Sequence, residues 1–126
     1  MEKDELINLI NSLKIDKEEF YILSSSALIL RGIYKDAGDL DIGVSKKGLE
    51  ELKQNYSLKL KENGWYQVND KVECVVCEDG LKSSEQLDGY NLENINDYYN
   101  FLIKSKREKD KLRIPLIEEY IKNGCR

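Results

Sequence analysis

Phe20-Tyr21-Ile22-Leu23-Ser24-Ser25-Ser26-Ala27-Leu28-Ile29-Leu30, followed by Asp39-Leu40-Asp41-Ile42-Gly43-Val44, is the stretch on which the reading of this chain turns. Its first four residues are a short apolar run, the pattern of a buried strand. Three serines come directly after, and a new apolar stretch begins at Ala27. Serine ahead of such a stretch is a helix N-cap signal, and Gly32 closes the unit as strand, serine turn and helix. Residues 34–38 form a polar turn. Residues 39–44 then alternate with period two, which predicts a strand with Asp39 and Asp41 on one face and Leu40, Ile42 and Val44 on the other.

Outward from this centre the periodicities continue. Leu6, Ile7, Ile10 and Leu13 fall on one side of an amphipathic helix over 3–13. A second helix is predicted from Lys46 to about Tyr56. Asn63-Gly64 and Asn69-Asp70 punctuate a strand meander through 57–61, 65–68 and 71–77. The stretch 92–106 reads as a helix with Ile95, Tyr98, Tyr99 and Leu102 inward. Pro115 sits at the first turn of a last helix ending near Asn123-Gly124. With 126 residues and no repeat or linker, the expectation is one α+β domain over 1–126, a mixed sheet flanked by helices.

Composition narrows the chemistry. The chain has no histidine, so Ser-His and Cys-His dyads and His-rich zinc sites are excluded. Catalysis would fall to carboxylates, lysines, hydroxyls or thiols. Twenty-four acids against 20 bases give a net charge of −4, which supplies no global basic field for nucleic acid. No apolar run approaches the roughly 20 residues that span a bilayer. Residues 1–5 are charged, unlike a signal peptide's apolar core, so a cytoplasmic protein without membrane contact is expected. Of the three cysteines, Cys74 and Cys77 lie three apart on a predicted strand. Their side chains then point to opposite faces, and with Cys125 they read as packing thiols.

The chemical signal is Ser25-Ser26, a twelve-residue spacer, and Asp39-Leu40-Asp41. Two carboxylates two apart on a strand can hold one or two hard cations, and Mg²⁺ is typically bound by one or two carboxylates together with substrate phosphates. The serine turn offers N–H groups and hydroxyls suited to phosphate. Glu73, set among Val72, Val75 and Val76, is the third acid expected as metal ligand or base, because an unpaired acid is costly to bury in an apolar strand. Glu78 and Asp79 are its alternatives. From Lys104 to Arg113 run six bases and two acids, a solvated helix face or a site for RNA or phosphate.

This order resembles the DNA polymerase β-like nucleotidyltransferase superfamily, whose signature is hG[GS] followed some ten residues later by D-h-[DE]-h. Lys104-Ser105-Lys106-Arg107-Glu108-Lys109-Asp110 resembles the K-x-x-R-x-K-D pattern of its AbiEii-type branch, which includes toxins of abortive-infection and toxin–antitoxin systems. Small antibiotic-modifying nucleotidyltransferases are related. The resemblance covers about residues 20–123. It implies a nucleotidyltransferase-like sheet with C-terminal helices and an enzyme that moves an NMP from an NTP to an acceptor (RNA, protein or small molecule) with Mg²⁺ or Mn²⁺. It places Asp39, Asp41 and Glu73 as metal-binding and catalytic acids, Ser25 and Ser26 on the Gly-Ser position, and Arg107 or Lys109 on the nucleotide phosphates. Serine stands at position 25 where the family has glycine. A catalytically degenerate module that binds nucleotide, RNA or a protein partner is therefore the alternative.

Overall fold

The computed structural model describes residues 1–77 and 84–123. Glu78, Asp79, Gly124 and Cys125 lie outside them. The fold is α+β, built on a seven-stranded mixed sheet in the order β3-β4-β5-β2-β1-β7-β6. The strands are β1 (Phe20–Ile22), β2 (Leu40–Val44), β3 (Lys59–Leu60), β4 (Tyr66–Asn69), β5 (Val72–Val76), β6 (Ser84–Leu87) and β7 (Tyr90–Glu93). The helices are α1 (Lys3–Ser12), α2 (Ser24–Leu30), α3 (Lys46–Asn55), α4 (Ile95–Lys104), α5 (Glu108–Lys111) and α6 (Ile114–Lys122). β1 runs antiparallel to β2 and parallel to β7, β2 runs parallel to β5, and β3-β4-β5 is the expected antiparallel meander. None of the described helices is long and apolar enough to cross a membrane.

Alternation decides which way each strand faces. Leu40, Ile42 and Val44 are fully buried, as are Ile22, Val72 and Cys74. They join Leu6 and Ile10 of α1 and Leu49 and Leu52 of α3 in the larger core. The α3 helix starts where Ser45 accepts a hydrogen bond from the Gly48 N–H, an N-cap in the usual sense. A second core forms among Leu28, Ile95, Tyr98, Leu102 and Ile117, from α2, α4 and α6. α2 serves both cores: Ala27, Ile29 and Leu30 belong to the larger and Leu28 to the smaller.

Three expectations are corrected. The predicted helix over 92–106 starts only at Ile95, where Asn94 caps it by accepting from the Asn96 and Asp97 N–H groups. Leu92 belongs instead to β7, paired with β6 across Asp88-Gly89, both at positive φ. An Asp-Gly turn of that kind matches strand twist and is a strong hairpin signal. The serines do not cap α2 through their side chains: Leu23 is the N-cap residue and no side chain caps it. Asp39 stands one residue before β2 and is exposed.

Gly43 leaves no room for a side chain in β2. An added Cβ would fall inside contact distance of the Tyr21 ring, its neighbour in register, and 2.7 Å from Cys77 Sγ. Gly43→Ala is therefore expected to destabilise by about 1–3 kcal/mol through overpacking, lowering the melting temperature by several degrees. A thermal melt equal to wild type would refute this close packing.

Candidate active site

Asp41 and Glu73 are direct partners in the parallel β2–β5 register, so both side chains leave the same face of the sheet. That face is opposite to the one carrying Leu40, Ile42 and Val44. Both acids line a cleft of about 400 Å³, and Ser24, Ser25, Arg107 and Lys109 line it too. Five residues singled out from sequence thus meet in one place: Ser25, Asp41, Glu73, Arg107 and Lys109. Glu73 is not an edge-strand acid, since β5 lies between β4 and β2.

Two others do not join them. The Ser26 hydroxyl is buried and donates to the Asp39 carbonyl at 3.1 Å. It ties α2 to the start of β2 and is withdrawn from the cleft. Asp39 is not among the residues lining the cleft, although its charge is felt at Asp41. Among the described residues no three His, Cys, Asp or Glu side chains gather into a metal-ligand cluster. The carboxylates available to a cation in the cleft are the Asp41–Glu73 pair, with Asp39 nearby.

The electrostatics show what the pair lacks. Burial pushes the Asp41 carboxyl up to about 6, the charges of Glu73 and then Asp39 push it the same way, and Lys61 and Arg113 offset this only in part. Glu73 Oε1 is ion-paired with the Lys61 ammonium. The unfavourable balance is local to Asp41, since four cations line the cleft as a whole; a carboxyl held above its usual range beside a second one makes a pair that could accept a divalent ion.

The backbone beside Asp41 is constrained. Leu23 N–H donates to the Asp41 carbonyl at 2.9 Å. The next residue, Ser24, takes φ +57°, in the left-handed region that costs an L-residue roughly 1–2 kcal/mol. Its N–H donates to Glu93 Oε1 at 3.0 Å. The position whose backbone calls for glycine is thus Ser24, one before the residue on which the family glycine falls by resemblance. Burial raises the pKa of Glu93, against the opposing hydrogen bond from Ser24.

Sequence reasoning missed the far wall. Lys61, Asn63 and Trp65 come from the β3–β4 turn, and Tyr98, Phe101 and Arg113 from α4 and the start of α6. The Asn63-Gly64 turn signal was readable, but nothing local says which way the hairpin leans. Arg113 Nη1 donates to Tyr98 Oη at 2.7 Å and its guanidinium lies 5.2 Å from the Tyr34 ring centre. Arg107 Nε reaches the buried Asp110 Oδ2 at 2.7 Å. Lys104, the first residue of the basic motif, is exposed and outside the cleft.

No family model, curated protein or solved structure matches the chain.

Asp41 yields a test with a defined sign. A carboxyl whose pKa is raised on folding costs stability when charged, and the cost vanishes once the group is protonated in both states. In metal-free protein, Asp41→Asn is expected to melt higher than wild type above pH 6. The gap should narrow as pH falls from 6 to 4 and close below it. An Asn variant that melts lower than wild type at pH 7.5 in EDTA would contradict the crowding of charge described here.

Proposed function

We propose that the cleft is the active site of a metal-dependent nucleotidyltransferase with a nucleotidyltransferase-like fold, taking an NTP and passing its NMP to an acceptor hydroxyl. The observation that carries this reading is the pairing of Asp41 and Glu73 on adjacent strands, in one cleft with Arg107 and Lys109. Acids for a cation and cations for phosphates then line the same space, as phosphoryl transfer requires.

In the reaction the acceptor oxygen attacks the α-phosphorus, the α–β bridging P–O bond breaks, and pyrophosphate leaves. A bound Mg²⁺ or Mn²⁺ would polarise the phosphoryl oxygens and neutralise developing charge. Asp41 would hold it, with Asp39, outside the cleft lining, adding negative charge nearby. Glu73 serves as the third carboxylate, as ligand or as acceptor of the hydroxyl proton. Arg107 and Lys109 hold the phosphates, and the Ser24–Ser25 turn forms the adjoining wall.

Transfer is tested with radiolabelled NTPs and Mn²⁺ or Mg²⁺ against RNA, protein and small-molecule acceptors. Asp41→Asn should reduce it by at least about a hundredfold while the fold persists in circular dichroism. Full activity in that variant would sink the proposal.

A binding module without chemistry is the second reading, and Ser24 favours it: the left-handed turn beside Asp41 carries a side chain. Ser24→Gly is expected to raise stability by about 1 kcal/mol, read as a rise in melting temperature. If it also creates metal-dependent NTP binding where wild type has none, the site is a decayed one. Wild-type transfer at ordinary rates excludes that outcome.

A further inference from the structure

Phe101 leaves 52% of its surface exposed, although Ile95, Tyr98 and Leu102 of the same helix are buried. Single exposed apolar residues are ordinary on a protein surface, and Leu60, Ile103 and Leu112 are of that kind, being outside the cleft. Phe101 lines the cleft. Its ring stacks on Tyr98 with centroids 6.1 Å apart and planes 11° from parallel. Tyr98 is buried, and its hydroxyl accepts from Arg113, so the platform behind Phe101 is held at both ends. Trp65 lines the same cleft from the β3–β4 turn, where Asn63 Oδ1 accepts from its backbone N–H at 3.0 Å.

A cleft lined by aromatic residues together with Arg107 and Lys109 suits a ligand with a flat ring joined to a polyanion. An aliphatic phosphate would use the cations and leave the rings wet. We infer that Phe101, backed by Tyr98, and Trp65 form a ring-stacking subsite for the nucleobase of the NTP, an assignment that rests on the nucleotidyltransferase reading above. Stacking tolerates any base, because every base has a π-face. The subsite therefore recognises nucleotides as a class without choosing among them.

Trp65 is the chain's single tryptophan and reports directly on the cleft. The experiment titrates the protein, in Mn²⁺, with ATP and separately with inorganic tripolyphosphate, reading Trp fluorescence and calorimetric affinity. ATP should quench the fluorescence and tripolyphosphate should not. Phe101→Ala and Phe101→Leu should each weaken ATP by roughly fivefold or more and leave tripolyphosphate unchanged. Equal binding of the two ligands, with no quenching and no effect of either variant, overturns the subsite while the phosphate site stands. Binding of neither ligand brings down the nucleotidyltransferase reading and the subsite with it.

Discussion

The burial of α2 is the constraint on which the other elements depend. Five consecutive residues, Ser26 to Leu30, are buried, more than one face of a helix can supply. A helix apolar all round has to be enclosed, and two separate cores enclose this one. The larger core takes Ala27, Ile29 and Leu30, and α4 and α6 take Leu28. Both ends are then tied to the β6–β7 hairpin. Ser24 N–H donates to Glu93, and Arg31 at the C-cap donates to the Glu93 carbonyl and to Glu85. Glu85 also accepts from Ile95 N–H, which fixes where α4 begins.

Locking α2 in place determines what the cleft can be. The chain leaves β1 at Leu23 and has to enter a buried helix at once, and the left-handed Ser24 makes that change of direction. Ser26 turns inward to hold the residue preceding Leu40. The β2 strand therefore enters the sheet with Asp41 opposite Glu73, and two acids stand side by side on a face that neither can leave. Asp41, drawn partly out of water and then crowded by the charges of Glu73 and Asp39, is costly to ionise. Lys61 and Arg113 reduce that cost without removing it. Strain at Ser24 and the half-buried charge of Asp41 lie at the same end of the sheet. Costs of this kind concentrate at functional sites.

Much of this was legible in the residues. The apolar run at 20–23, the period-two pattern at 39–44 and the two Asn-containing turns pointed to β1, β2 and the meander, because each rests on a local rule. Asp41 was chosen with Asp39 as two carboxylates on one strand face and Glu73 as an acid set among valines, and strand pairing made Asp41 and Glu73 adjacent. Failures came where tertiary packing overrode a local signal. Serine before an apolar stretch reads as a cap, yet here the third serine is drawn into the core and the first accepts the backbone cost. Leu92 fits a helical spacing with Ile95 and Tyr99, but the Asp88-Gly89 turn outweighs that spacing by pairing it into β7. The aromatic wall was not legible at all, since Trp65 and Phe101 are 36 residues apart and only the fold puts them in one cleft.

The basic run near the C-terminus shows how a charged stretch can be turned inward. By composition it is a solvated surface, and Lys104, Lys106 and Lys111 are exposed as expected. Asp110, in its midst, is completely buried, which an unpaired carboxylate could not be without a cost of several kcal/mol. Burial alone would raise its pKa; hydrogen bonds from Ser105 and Arg107, with the charges of Arg107 and Arg113, prevail and hold the carboxyl below the usual range. It is charged in the folded protein, so the segment has to wrap around it. That wrapping ends α4 at Lys104 and starts the short α5 at Glu108, and it aims Arg107 and Lys109 at the cleft. The bond to Asp110 uses only Nε of Arg107. One buried acid thus brings two cations of a surface run into the lining of the cleft that holds Asp41 and Glu73.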